Sequence, residues 1–195
     1  MKKIKANVIK FWYLYLICLI IFPLLSSYAV ELINKPRNEE TISIFIGSCS
    51  SSSKELVDKL SQKKPSYLRE INVRNYVYYG EDFSYFYSSF GKSEADLIIL
   101  PESKINNETC AYYYAKLDPA LFPNESFYFI NENKECYGLL LHKKEEENSS
   151  LISYKDDTHD EDYYAFFNRN SLHIGALNDS NWDTALSFYN IIKKG

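Results

Sequence analysis

Ala95-Asp96-Leu97-Ile98-Ile99-Leu100-Pro101 is the stretch on which the fold turns. Four consecutive apolar residues closed by a proline predict a strand covered on both faces, as an inner strand of a parallel sheet is. Just before it, Phe83, Phe86, Tyr87 and Phe90 fall at i, i+3, i+4 and i+7, one apolar helical stripe with Gly91 as its stop. Gly80-Glu81-Asp82 supply the turn and a cap. Across residues 70–79, Ile71, Val73 and Val77 alternate with polar neighbours, the period of a strand with one covered face. Earlier still, Leu56, Val57 and Leu60 recur at helical spacing until Lys63-Lys64-Pro65, and the serines from Ser48 to Ser53 can cap that helix in several registers. Ile42-Ser43-Ile44-Phe45-Ile46, ending at Gly47, is a first strand. Strands alternating with single helices imply right-handed crossovers, so the fold class is α/β, a mainly parallel sheet with flanking helices.

Downstream of Lys104 the periodicity weakens. Leu117 to Pro123 is turn-rich, and residues 127–130 and 136–141 read as a strand pair joined by the polar turn 131–135. The charged stretch 143–162 reads as a mobile loop, and residues 163–167 as a last strand. A closing helix presents Trp182, Ala185, Leu186, Tyr189 and Ile192 on one face, with Ser180 and Asp183 as a capping box and Lys193-Lys194 at the C-terminal dipole.

At the other end, Lys2, Lys3, Lys5 and Lys10 precede an uncharged run from Phe11 to Val30. Twenty helical residues span about 30 Å, the thickness of a bilayer core, and Trp12, Tyr13 and Tyr15 suit its interface. The reading is a single transmembrane anchor over residues 1–30, lysines inside, followed by a polar spacer (31–41) and an α/β domain (42–195) outside the cell membrane. A cleaved signal peptide ending near Ser27-Tyr28-Ala29 is the alternative, and it exports the same domain.

Composition narrows the function classes. The 195 residues are 46% hydrophobic and 25% charged, enough for a real core, and the net charge of −4 excludes the basic stripe of a nucleic-acid binder. Outside the apolar run lie Cys49, Cys110 and Cys136; Cys110 with Cys136 could pair in an oxidising compartment, or all three are isolated thiols. No spacing matches a zinc signature and no cofactor fingerprint occurs, so no metal or cofactor is expected. Gly47-Ser48-Cys49-Ser50-Ser51 lacks the second glycine of a nucleophile elbow, and His142, His159 and His173 stand in unrelated contexts; His173, between Leu172 and Ile174, reads as a packed structural residue. A carboxylate pair of Glu102 with Asp82 or Glu81 is the remaining route to an enzyme. The chain is read as non-enzymatic.

Open parallel sheets bind ligands beyond the carboxyl ends of their strands. Three loops meet that description, around Gly47–Ser51, Tyr79–Phe83 and Pro101–Ser103. Their hydroxyls, carboxylates and aromatic rings suit a polyhydroxylated solute. Ser50, Asp82, Tyr85, Glu102 and Ser103 are the candidate ligand contacts. The expectation requires the three strand tips to share a rim that the charged stretch after Lys143 leaves open.

These segments together resemble the extracellular solute-binding proteins of ABC transporters, of the sugar-binding type. Residues 95–101 are similar to the stretch that introduces the family's ligand-facing loop. Leu117-Asp118-Pro119-Ala120-Leu121 looks like its L-x-P-L element. Tyr137-Gly138-Leu139-Leu140-Leu141 resembles its Y-G-(I/L)-P strand without the proline. Asn168-Arg169-Asn170-Ser171-Leu172-His173, followed by Ala185-Leu186-Ser187-Phe188-Tyr189, is similar to its late strand–helix passage. The resemblance implies a periplasmic-binding-protein-like lobe that captures a sugar or other small polar solute and hands it to the permease subunits of an ABC transporter. Members have two lobes and about twice this length, so it implies one lobe only. The alternative is a membrane-anchored accessory protein whose single lobe binds another protein and has lost solute binding.

Overall fold

The computed structural model describes residues 12–130 and 135–195, except the side chain of Tyr15. The leading lysines and all of the polar turn but Glu135 lie outside the described residues. The chain divides after Arg37 into two compact units. In the first, helix α1 (Trp12–Asn34) is long and apolar enough to cross a membrane or to act as a signal sequence. Its 23 residues rise about 34 Å at 1.5 Å each. Pro23 sits inside it, removing one backbone donor. The helix runs four residues past Val30, into what reads from sequence as spacer.

The second unit, Asn38–Gly195, is α/β. Its elements are β1 (Thr41–Ser48), α2 (Lys54–Gln62), β2 (Glu70–Val77), α3 (Phe83–Phe86), β3 (Leu97–Pro101), α4 (Asn107–Tyr113), β4 (Phe127–Ile130), β5 (Glu135–His142), β6 (Tyr163–Phe167) and α5 (Thr184–Lys193). They form one six-stranded sheet of order β2-β1-β3-β6-β5-β4. The expected parallel half is present: β1 runs parallel to β2 on one side and to β3 on the other. β3 is a continuous apolar run because both its faces are covered, and β1 is apolar from Ile44 to Ile46. All five residues of β3 are buried, as are Ile42, Ile44, Phe45 and Ile46 of β1.

The expectation of a mainly parallel sheet is corrected. β6 pairs antiparallel with β3, β5 with β6, and β4 with β5. The reason lies in the connections. A parallel neighbour needs a crossover over the sheet face, and α2 and α3 provide the two that join β1 to β2 and β2 to β3. The connection from β5 to β6 holds no helix and returns at the sheet end where it left, so β6 comes back antiparallel beside β5, and β4 pairs antiparallel with β5 on the other side.

Two local expectations also change. The stripe of Phe83, Tyr87 and Phe90 is buried, but after one α turn the helix widens into a π turn (Tyr87–Gly91) in which Lys92 N–H reaches the Tyr87 carbonyl. Gly91 is not a left-handed stop, since Lys92 after it is still right-handed; glycine is required there for space, because a Cβ would lie 2.7 Å from Tyr87 Cδ2 and 2.9 Å from Phe45 Cγ. The capping box is absent at α5. Ser180 instead accepts the Gly175 N–H through its Oγ, at 2.7 Å, and Asp183 stands at the N-cap with no side-chain hydrogen bond.

Candidate ligand site at the strand tips

Because β5 runs the same way as β3 and β6 opposes both, the end of β5, the start of β6 and the end of β3 meet in one row. Tyr163 stands opposite Pro101 on one side and His142 on the other. Ser48 stands opposite Val77 at the neighbouring tips of β1 and β2. The three parallel strand tips therefore share a rim, and the chain leaving β5 must cross it to enter β6.

That crossing segment is a loop, as its sequence suggests, but the expectation that it leaves the rim open is corrected: residues 151–162 form a strap bonded to every tip. At β1, Cys49 N–H donates to the Ser153 carbonyl (2.9 Å) and the Cys49 thiol to that of Tyr154 (3.3 Å). Beyond β2, Tyr79 Oη donates to Asp156 Oδ2 (2.8 Å) and Tyr78 Oη to Glu161 Oε1 (2.8 Å). Beyond β3, Ser103 donates to Glu161 twice, N–H to Oε2 (2.9 Å) and Oγ to Oε1 (3.0 Å), and Glu102 N–H donates to the Asp162 carbonyl (2.9 Å). Leu151, Ile152 and Tyr154 are buried beneath it. Three apolar side chains of this charged segment anchor it, and its charge conceals that anchoring.

The sequence-derived contacts separate into three groups. Ser103 and Glu102 sit on the rim, held by the strap. Ser50 is half-buried behind the β1 tip, where Ser48 Oγ lies 2.6 Å from its carbonyl and 2.9 Å from Asn75 Oδ1. Asp82 and Tyr85 are exposed on α3, Tyr85 with its ring edge-on to Phe86 at 5.3 Å. The structure thus brings Ser103 and Glu102 together and leaves Asp82 and Tyr85 outside the strap's hydrogen bonds.

Residues that sequence reasoning missed make up most of the site. Tyr78 is buried, and its pKa is raised by burial and then by its bond to Glu161, so it stays a donor. Burial opposes the Glu161 charge, but the Ser103 and Tyr78 bonds outweigh it and hold the carboxyl below its usual value. Asp156 is held low, chiefly by the Thr158 N–H, and stacks His159 flat on Tyr79 at 4.1 Å through its contact with His159 Nδ1. Beneath lie Tyr163, Tyr154 and His142; the His142 ring stacks on Tyr154 at 4.4 Å. The available signal was positional: Tyr78-Tyr79 leave β2 as Glu161-Asp162 enter β6.

Cys49 lies 3.7 Å from Tyr163 Oη, but burial raises its pKa, and Asp156, Glu161 and Asp160 raise it further against the Tyr163 hydrogen bond. The thiol is held protonated, the opposite of an activated nucleophile. Cys110 and Cys136 are separate buried thiols, not a disulfide, and burial pushes Cys110 up to about 12. Among the described residues no cluster of His, Cys, Asp and Glu could hold a metal. His173 is the packed histidine its neighbours suggest, buried with Nε2 3.0 Å from the Thr41 carbonyl.

At the opposite end of the sheet, a groove of about 390 Å³ is lined by Thr41, Ser43, Asp96, Asn168 and Ser171. Of the two carboxylates that line it, Glu94 and Asp96, the latter is already used: Asp96 accepts from Ser43 N–H (2.7 Å) and Ser171 Oγ (2.5 Å), pinning the loop after β6 to β1.

No family model matches the chain, and neither curated proteins nor solved structures yield a match.

Proposed function

We propose that this chain is a membrane-anchored, extracytoplasmic solute-binding domain whose strand-tip site is closed by its own strap, and that it serves the permease subunits of an ABC transporter. The observation that carries the reading is the convergence of the β1, β2 and β3 tips on one rim rich in hydrogen-bond donors. Capture at an open rim, the form expected from sequence, does not fit, since residues 151–162 lie across all three tips. The strap takes the place a second lobe would take, covering the half-site, and a solute enters when it lifts. A carbohydrate or another small polar solute fits the mixture of hydroxyl and aromatic groups.

The covered rim also favours a second reading, in which the lobe has lost solute binding and acts as an accessory protein through contact with another protein. A photo-crosslinker placed at Asp82 or Tyr85 in intact cells separates the two. Permease subunits as the crosslinked neighbours support transport, and any other single neighbour supports the accessory role. Isothermal titration of the full chain in detergent micelles against a solute panel is the direct test, and silence up to millimolar concentrations, with the strap intact and with it replaced, would remove the transport reading.

A further inference from the structure

The solute reading leaves the ligand's chemistry open, and the strap narrows it. Glu161 is bound by the rim as a ligand would be. Its Oε2 accepts the Ser103 N–H, and its Oε1 accepts both Ser103 Oγ and Tyr78 Oη, at 2.8–3.0 Å. All three groups donate, two of them to the same oxygen, which suits an anionic acceptor: charge-assisted bonds are about twice as strong as neutral ones. The donors come from the tips of two different strands and have packing partners besides the carboxylate. Tyr78 is packed edge-on against Tyr163 and Tyr79 at 6.3 and 5.2 Å, and Ser103 stands in the short turn that closes β3. Lys104 adds a cation. Its ammonium lies 5.9 Å from the Tyr78 ring and 6.0 Å from the Phe83 ring and makes no ion pair among the described residues.

We infer that the Ser103–Tyr78 rim is a carboxylate-binding site that Glu161 occupies as an internal pseudo-ligand, and that the solute taken there carries a carboxylate. The inference rests on the solute-binding reading and sharpens it, from any polar solute to an acidic one. Glu161 competes from inside the chain. Glu161 stands two residues before Tyr163, whose strand is fixed in the sheet, so its carboxylate is presented at an effective concentration on the order of millimolar, and a free carboxylate of ordinary affinity is excluded until Glu161 leaves.

The test is calorimetric titration of the full chain in detergent micelles with D-glucuronate, L-glutamate and acetate, and with D-glucose as the neutral control. Glu161→Ala should bind at least one of the carboxylates ten-fold or more tighter than the wild type and should ignore glucose. Adding Tyr78→Phe should reverse most of that gain. Glu161→Gln, which keeps the side-chain volume, should show a smaller gain in the same direction and guards against a fold lost on truncation. Protection of Cys110 from alkylation reports that each variant is folded. Folded variants that bind glucose as well as glucuronate would overturn the carboxylate inference and leave solute capture standing. Folded variants that bind nothing would overturn both.

Discussion

His142 shows how one side chain makes the strap sensitive to acid. It is buried at the end of β5 against Tyr154 and Tyr163, and its Nε2 has no partner among the described residues. Burial lowers its pKa and Lys155 lowers it further, against Glu146, Asp160 and Asp162. The folded state therefore binds fewer protons there than the unfolded state. Its contribution to stability is complete above the ordinary histidine value of 6.5 and is lost as pH falls below it. The depressed carboxyls Asp156 and Glu161 act in a separate window, starting below the ordinary carboxylate range. The urea midpoint should fall between pH 7.5 and pH 5, and His142→Phe should flatten that difference; an unchanged pH dependence in the variant would assign it to other groups. Tyr78→Phe should cost about 1.5 kcal/mol, the low end for a hydrogen bond to a charge, since Ser103 still serves the carboxylate. Ser103 was legible in sequence because it follows a strand end. Tyr78 and Glu161 were not, because a hydrogen-bonded pair far apart in the chain has no periodic signature.

Among the elements, the parallel strands and their helices were readable from period alone. Leu97 to Leu100 is continuous because both faces of β3 are covered, while the alternation of β2 hid that Arg74 and Tyr76 are also part-covered, by Phe90 and by Phe45 and Phe86. Strand direction in the other half was not readable: the residues of β5 and β6 carry the same apolar content whichever way they run, and only the path of the connection decides. The strap misled for a related reason, since Leu151, Ile152 and Tyr154 are outnumbered by charges that never enter the core. Its role as a cover has a measurable sign. Replacing residues 148–161 with a Gly/Ser linker should speed alkylation of Cys49 at least ten-fold in a Cys18→Ser background while Cys110 stays protected; an unchanged Cys49 rate would mean that the strap shields nothing. In β5, a Cβ at Gly138 would lie 2.7 Å from Phe166 Cε1, so Gly138→Ala should destabilise by about 1–3 kcal/mol in denaturant titration.

For the molecule as a whole, the core residues belong to Asn38–Gly195, and no described residue of the first unit's helix is among them. A chain lacking residues 1–37 should therefore stay folded, with thermal unfolding within a few degrees of the full protein, and a molten circular-dichroism signature would show that the N-terminal segment is needed for folding. Alkaline phosphatase fused after Gly195 should be active in intact cells if the domain lies outside, and inactive if it does not. The sheet order carries one more consequence. β3 forms the middle of the sheet, yet its second neighbour, β6, is the last strand to be synthesised. Whichever compartment receives the chain, the edge from Leu97 to Pro101 stays unpaired until Phe167 has emerged. Assembly must then be completed by the newest part of the polypeptide, and any truncation before Tyr163 leaves an adhesive apolar edge that invites aggregation.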